Sequence, residues 1–362
     1  MVSVDRLALY NSLKILARLT PTKSPTPILA NALLVVSDGK FTVTTTDVTS
    51  RLSHELPANG ENFTTCVTAK ALVSMLKPET KRDAEQVSLG LEGNRLLVEV
   101  DGVTSRLPTA NPTQFPSGVG ASLEWSLIGM CNAQPLRDAI AWVLPAASTD
   151  ATRRHLCAML VDPDGVAVTT DGHRMHVAPS PISPETPLLI ASSAADILHR
   201  VLTDGSLVIL ARAKSGGCEV LRVRCGAWQL ETTLVDATFP PYKHVLPNRG
   251  DQPTRLTIEK ALFIKALRRV TAAAKSNVRL CINGAITVSA EDNDGGEASV
   301  VVPVSANTHT GEDLIIGFDP HYLIDAVQGG DDAVELGLTK PLDPLRVDQS
   351  NGRIAVIMPC RL

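Results

Sequence analysis

The sequence predicts an α+β protein built from three tandem copies of one plan, each copy two helices packed on antiparallel sheets. Three observations predict it. A short apolar strand running through a polar residue into an amphipathic helix occurs three times, a second amphipathic helix recurs at nearly the same period, and an alternating strand behind a glycine turn recurs with them.

The first motif reads CVTAKALVSMLK from Cys66, IASSAADILHRVL from Ile190 and IGFDPHYLIDAV from Ile316. Thr68, Ser193 and Asp319 are the expected N-caps, because their side-chain oxygens can accept from a first-turn amide that has no helical partner. They stand 125 and then 126 residues apart. Apolar residues follow each at helical spacing: Leu72, Val73 and Leu76, then Ile197, Leu198 and Val201, then Leu323, Ile324 and Val327. The second helix is carried by Leu9, Leu13 and Leu16, by Leu136, Ile140 and Val143, and by Phe263, Leu267 and Val270, with both offsets 127. The strand element reads DGKFTVTTTD to Asp47, PDGVAVTTD to Asp171 and NGAITVSAED to Asp292, whose alternation marks half-buried strands.

A period this long exceeds any solenoid repeat, so each copy is expected to bury its own core. Pro- and Gly-rich stretches, NPTQFPSGVGA at 111–121 and LPNRGDQPT at 246–254, interrupt regular structure and set the expected divisions at 1–121, 122–249 and 250–362. With 44% hydrophobic but only 3% aromatic residues, the cores must be filled by Leu, Val, Ile and Ala.

The composition excludes several classes of function. A formal charge of -4 argues against a protein that grips nucleic acid by bulk electrostatics, while leaving room for a local basic lining. Seven cysteines form an odd set with no CxxC pair and no histidine at metal spacing, which fits a reduced cytoplasm and predicts no bound metal. The N-terminal MVSVDRLALYNSLKILARL is charged throughout, unlike a secretory leader, and no apolar run reaches bilayer length. No GxSxG, HExxH, phosphate-binding loop or dinucleotide fingerprint is present, so no catalytic residue and no cofactor is expected. His173 beside Asp171 is the nearest approach to acid–base chemistry.

Four segments resemble one family along essentially the whole chain: SPTPILANALLVVSDGKFTVTTTD, RRHLCAML with TDGHRM, LVDATFPPYKHVLP, and FDPHYLIDAV with the terminal VIMPCRL. They are similar to the bacterial DNA polymerase III beta subunits, the sliding clamps. The resemblance implies three DNA-clamp domains per chain, closed into a ring as a head-to-tail homodimer around sequence-independent duplex DNA in the cytoplasm, at the nucleoid. It implies a processivity factor that tethers the polymerase III catalytic subunit, the clamp loader, other polymerases and repair proteins through short linear motifs.

By motif match the peptide pocket is walled by Leu156, Thr170, Gly172, His173, Arg174, Met175, Pro240, His244, Val245, Leu342, Val356, Met358, Pro359, Cys360, Arg361 and Leu362. Leu, Val, Met and Pro suit an apolar recess, Gly172 leaves room for a peptide backbone, and His173 and Arg174 are expected to fix its polar ends. The same match turns Lys23, Lys77, Arg153, Arg154 and Arg200 toward DNA, among basic residues on or beside the inner helices that include Arg6, Lys14, Arg18, Arg137, Lys265, Arg268, Arg269 and Lys275. It sets Arg95, Arg106 and Leu107 against Glu291, Asp292, Asp294 and Glu297 of a neighbouring chain.

Some positions depart from the family pattern. His244 replaces a common Arg, Cys360 a longer Met, Ser105 an aromatic anchor, and Arg154 and His155 stand where aromatics can stack on DNA. Two readings accommodate them: the main replicative clamp, and a clamp-like paralogue devoted to repair or a mobile element.

Overall fold

The period-3.6 rows in the sequence become helices because each row finds a sheet to cover. In the computed structural model, which describes all residues except 22–24, 81–84, 117–122, 293, 310–312, 331, 350 and 362, one element order runs three times. The first run is β1 (Val2–Asp5), α1 (Arg6–Leu16), β2 (Asn31–Ser37), β3 (Lys40–Thr46), β4 (Ser50–Pro57), the two-residue β5 (Asn59–Gly60), β6 (Phe63–Thr68), α2 (Ala69–Leu76), β7 (Gln86–Glu92), β8 (Arg95–Val100) and β9 (Val103–Ala110). The second is β10 (Ser126–Asn132), α3 (Ala133–Val143), β11 (Ala158–Asp162), β12 (Val166–Thr170), β13 (Arg174–Pro179), β14 (Leu188–Ala191), α4 (Ser192–Val201), β15 (Leu207–Ser215), β16 (Cys218–Cys225) and β17 (Trp228–Thr233). The third is β18 (Thr254–Glu259), α5 (Lys260–Ala273), β19 (Val278–Ile282), β20 (Ile286–Glu291), β21 (Glu297–Val302), β22 (Val304–His309), β23 (Leu314–Phe318), α6 (Pro320–Val327), β24 (Ala333–Leu338), β25 (Leu345–Asp348) and β26 (Ile354–Ile357). β5 and β22 hold the same place in the order, and among the described residues the second run has no strand there.

Each run makes the same two four-stranded groups, all antiparallel. The first groups are β6-β2-β3-β4, β14-β11-β12-β13 and β23-β19-β20-β21. The second are β9-β8-β7-β1, β17-β16-β15-β10 and β26-β25-β24-β18. Copies then join edge to edge: β4 pairs with β17 from Ser50↔Thr232 to His54↔Trp228, and β13 with β26 from Arg174↔Ile357 to Val177↔Ile354.

These joints cut the chain into two packing units that do not follow the repeat. One unit holds Met1–Arg137 with Ser193–Asp236, around a thirteen-stranded sheet; the other holds Asp138–Ser192 with Ala237–Leu362, around sheets of nine and four strands. In the first, Leu9, Leu13 and Leu16 of α1 and Leu72 and Leu76 of α2 are fully buried, with Leu34, Phe41, Val43 and Leu52 from the sheet. In the second, Phe263, Leu267 and Val270 of α5 lie buried with Leu323 and Val327 of α6 and Phe318 of β23. Each such side chain contributes roughly 1.5–3 kcal/mol by leaving water.

The cap expectations divide. Asp319 caps α6, its carboxylate accepting the His321 amide at 2.8 Å. Thr68 stands at the N-cap of α2 but its hydroxyl donates to Asn31 Oδ1 at 3.2 Å and caps nothing. Ser193 is one residue inside α4, which begins at Ser192, because strand β14 stops at Ala191 and the Ser192 amide donates to the Cys157 carbonyl.

Candidate functional site

The predicted pocket residues are carried by the joint between β13 and β26. β12 ends at Thr170 and β13 begins at Arg174, so TDGHR is the turn between them. Thr170 Oγ1 donates to the Arg174 carbonyl at 2.6 Å and receives the Gly172 amide at 3.1 Å; Asp171 Oδ1 receives the amides of His173 and Arg174 at 2.8 and 2.9 Å. Gly172 sits at φ +93°, a left-handed conformation that disfavours any side chain. Past the end of β26, the Met358 amide donates to the His173 carbonyl at 2.8 Å, fastening the C-terminal strand to the turn.

Around this turn, apolar residues form a floor and a rim. Leu156, Met175 and Val356 are buried, whereas Met358 is 44% and Leu342 76% exposed. Leu342 lies in the β24–β25 connection, whose return strand pairs Leu345 with Ile357, so it belongs to the same end of the sheet as Met358. Exposed large apolar side chains beside a side-chain-free turn form a surface suited to burying a partner's apolar residues. Val245 is 61% exposed, on a short helical turn over Tyr242–Val245 that also carries His244. This turn is anchored elsewhere on the sheet: Tyr242 donates to Asp162 Oδ2 at 3.0 Å, and Lys243 pairs with Asp162 and Asp164. Burial and Asp162 push the Tyr242 hydroxyl well above its ordinary pKa, so it stays a donor. Pro240 and Pro359 are half-buried.

Several predicted site residues are bonded within the chain. The Arg174 side chain, expected to fix a peptide's polar end, is 12% exposed, pairs with Asp171 at 3.1 Å and Asp325 of α6 at 2.6 Å, donates to the Pro145 carbonyl and stacks 4.3 Å over Tyr322. Two carboxylates and an aromatic face hold it better than a passing peptide could. Arg153, expected toward DNA, bonds Asp150 and donates to the Asp171 carbonyl at 2.9 Å, stitching the loop before β11 to the turn. Arg361 lines a separate cleft with Arg279, Glu291, Asp292 and Glu297, while Cys360, one residue before, bridges Gly317 on β23. Burial pushes the Cys360 thiol up, so it remains a neutral apolar group. Leu362 lies outside the described residues.

Asp325 and Tyr322 were missed by sequence reasoning. Both stand in the quoted FDPHYLIDAV segment, but nothing local announces a partner 151 positions away. The buried His176 was missed too; it stacks on Trp142 with centroids 5.0 Å apart, its Nδ1 2.8 Å from the Trp142 carbonyl, and burial pushes its pKa down to about 4.

The basic residues are similarly mixed. Lys14, Arg18, Arg137, His199 and Arg200 line a groove of about 650 Å³ in the first unit. Asp196 pairs with Arg200 at 2.9 Å and Arg18 at 3.7 Å, and Asp204 with Arg137 at 2.7 Å, which tempers the positive potential. Arg6, the first residue of α1, is 3% exposed and bonds Asp101 and the carbonyls of Leu76 and Lys77. Lys77, Arg154, Lys265, Arg268, Arg269 and Lys275 are exposed; Lys23 lies outside the described residues.

On the predicted edges, β9 pairs with β6 only at Thr109 and Ala110, so that among the described residues nothing pairs with its outer side from Val103 to Pro108, and β21 is the last strand of its sheet. Arg95 is exposed, Leu107 half-buried, and Arg106 is tied to Glu92 of its own chain at 2.8 Å. Glu291, Asp294 and Glu297 are exposed, whereas Asp292 accepts the amides of Gly296, Lys275 and Asp294, which hold its carboxyl below the usual range. Among the described residues no group of His, Cys, Asp and Glu could hold a metal ion, and no helix is long and apolar enough to cross a membrane.

A thrice-repeated pair of antiparallel sheets under two helices, with copies joined edge to edge, defines a protein of the DNA-clamp fold. Residues 1–118 match the model of the DNA polymerase III beta subunit, N-terminal domain, and residues 243–361 that of its C-terminal domain. The chain belongs to the bacterial DNA polymerase III beta subunit family, the beta sliding clamps. It is 28% identical to the beta sliding clamp of Streptomyces coelicolor, over all of this chain and 99% of that one, and 26% identical to that of Escherichia coli K12, over 93% of each. The solved Caulobacter crescentus pol III beta superposes with a TM-score of 0.84 at 26% identity, covering both chains fully.

Proposed function

We propose that this chain is a DNA sliding clamp: two copies close head to tail around a duplex, hold it by topology, and tether replication and repair proteins without catalysing a reaction. The observation that carries this reading is the repeated edge rule. β4 of the first copy takes β17 of the second, and β13 of the second takes β26 of the third. The next member of the series pairs β21 with the β9 of another chain, and among the described residues nothing pairs with the outer side of β21 or with that of β9 from Val103 to Pro108. Their charges oppose, with Arg95 and Arg106 on one side and Glu291, Asp294 and Glu297 on the other. In this reading 1–121, 122–249 and 250–362 are the three clamp domains.

The exposed cations of the inner helices, partly neutralised by Asp196 and Asp204, support weak contacts to phosphates without sequence preference. Leu156, Gly172, Met175, Leu342, Val356 and Met358 support a docking surface for short linear motifs, with Pro240, His244, Val245, Pro359 and Cys360 on flanking segments. The polymerase III catalytic subunit, the clamp loader and repair proteins are the partners expected there.

Topological retention is the property to test. The protein loaded by its cognate loader onto nicked circular DNA should co-elute with it through gel filtration at high salt, and should be lost when one restriction cut linearises the circle. Retention on linear DNA, or salt-sensitive loss from the circle, would contradict encirclement.

A further inference from the structure

We infer that Asp196 sets how firmly this chain grips a duplex: it holds Arg18 and Arg200 across the first joint, releases them to passing phosphates and recaptures them, so that the duplex slides. The inference rests on the sliding-clamp reading and names the residue that governs its loose grip.

The groove of about 650 Å³ lined by α1 and α4 carries the cations Lys14, Arg18, Arg137 and Arg200. Asp196 accepts Arg200 Nε and Nη2 at 2.9 Å each, and the Arg18 guanidinium stands 3.7 Å from the same carboxylate. An aspartate four residues before an arginine is an ordinary helix pair. Arg18 makes this one more than that, because it comes from the first copy, just past α1, whereas Asp196 and Arg200 belong to α4 of the second. The three side chains are between 37% and 51% exposed, so an anion in the groove can reach them.

The second joint shows that the carboxylate and the cations go together. The repeat offset of 127 takes Lys14 and Arg18 to Ala141 and Pro145, and the offset of 126 takes Asp196 and Arg200 to Tyr322 and Ala326. Where the cations are gone, so is the acid. A role confined to steadying α4 gives no reason for the aspartate to meet a cation of the other copy.

A guanidinium that leaves a phosphate for bulk water loses a charge-assisted bond, so a groove of unmatched cations would hold the duplex in deep wells. With Asp196 in reach, the guanidinium exchanges one oxyanion for another, and two cations with one carboxylate leave a single net positive charge. The wells become shallow. Asp204 has less to release, because Arg137 is also held by Gln134 at 2.7 Å and by the Leu202 carbonyl at 3.4 Å.

The test measures binding of the full-length chain to a short linear duplex as salt is raised. Each phosphate contact contributes about 0.9 to the slope of log affinity against log salt. Asp196→Asn keeps the side chain's shape and frees Arg18 and Arg200, so its slope should be steeper by about 1–2, a loss of binding about 3- to 12-fold greater than the parent's between about 50 and 200 mM salt. Asp204→Asn should steepen it less, and Asp196→Glu, which keeps the charge, should hold the parent slope. Arg18→Gln with Arg200→Gln should change the parent little and cancel the whole gain in Asp196→Asn, a coupling that a change in helix stability does not produce. An unchanged circular dichroism spectrum checks that the variants fold. An unchanged slope in Asp196→Asn, a steep one in Asp196→Glu, or a gain that survives removal of both arginines would overturn the proposal. The slope needs neither loader nor ring, whereas retention on a nicked circle needs both, so failure of the clamp reading and failure of this role for Asp196 are read separately.

Discussion

The turn between β3 and β4 and the turn between β12 and β13 are the same object built twice. Thr46 Oγ1 donates to the Ser50 carbonyl at 2.7 Å as Thr170 Oγ1 does to Arg174 at 2.6 Å, and the amides of Val48 and Gly172 each reach that hydroxyl at 3.1 Å. Asp47 receives the Ser50 amide as Asp171 receives that of Arg174. Even the incoming strand repeats, since Thr233 donates to the Thr49 carbonyl and Met358 to that of His173. Three positions differ: Val48, Thr49 and Ser50 in the first, Gly172, His173 and Arg174 in the second. A conserved backbone scaffold therefore makes a joint in both places, and the side chains decide which joint also offers a surface. In the first, Ser50 bonds Thr232 of the neighbouring copy in a closed, buried contact. In the second, Arg174 turns inward to Asp325, Gly172 bares the backbone, and Met358 is left exposed.

The largest effect should come from the ionic cluster that only the second joint has. Arg174→Ala leaves Asp171 and Asp325 facing each other's charge in a largely enclosed site, a change that costs about 3–5 kcal/mol. Denaturant unfolding should show the transition of the second unit shifted to lower denaturant. Binding of a short peptide from the cognate polymerase should fall with it. Ser50→Ala, at the equivalent position, should cost about 1 kcal/mol. Equal losses would mean that the two joints are held alike.

Acid should loosen both joints, through histidines placed differently. His54 of β4 stacks on Trp228 of β17, centroids 4.0 Å apart, across the first joint; His176 stacks on Trp142 within its own copy. Burial pushes each down to about 4 from 6.5. The unfolded chain therefore takes up protons first as pH falls. Their contribution is complete above about pH 6.5 and is lost progressively down to about pH 4. For the fully buried His176 the loss is roughly 3 kcal/mol; for the half-buried His54 solvent reduces it. Unfolding midpoints measured from pH 7.5 to 4.5 should hold to about pH 6.5 and fall below it, and His176→Phe should flatten that fall. A curve as steep in that variant as in the parent would place the acid sensitivity elsewhere.

The sequence made the repeat legible because the buried helix positions are local and periodic, so Leu9, Leu136 and Phe263 could be aligned without knowing what they touch. The TDGHR motif was legible as a local string, and its hydrogen bonds close within five residues. What stayed hidden are the ties made by distant chain. Arg174 and Asp325 meet only because β13 accepts β26, and Arg6 looks like a solvated helix residue until Asp101 and the end of α2 enclose it. Arg361 belongs to the C-terminal motif, yet nothing local announces that it lines a cleft with Glu291, Asp292 and Glu297 once Cys360 has bridged to β23. Packing units were not readable either, since the second copy's β10, β15, β16 and β17 join the sheet of the first.

The smallest effects test the comparison most directly. Val48 holds φ +84°, where a β-branched residue is strained, while Gly172 holds φ +93° without strain. Val48→Gly should relieve the first turn, and the relief is opposed by the greater freedom of glycine in the unfolded chain, leaving a net change within about 1 kcal/mol. Gly172→Val should cost about 1–3 kcal/mol from the same strain, since its Cβ meets only the Arg153 guanidinium, at an ordinary contact distance of 3.4 Å. The asymmetry carries the argument: peptide binding should be lost in Gly172→Val even at denaturant-free conditions where the fold is intact, and should be untouched in Val48→Gly. If both variants bound peptide like the parent, the bare backbone at Gly172 would be a feature of turn geometry alone, and the docking surface would have to be rebuilt from Leu342, Met358 and Val245 without it.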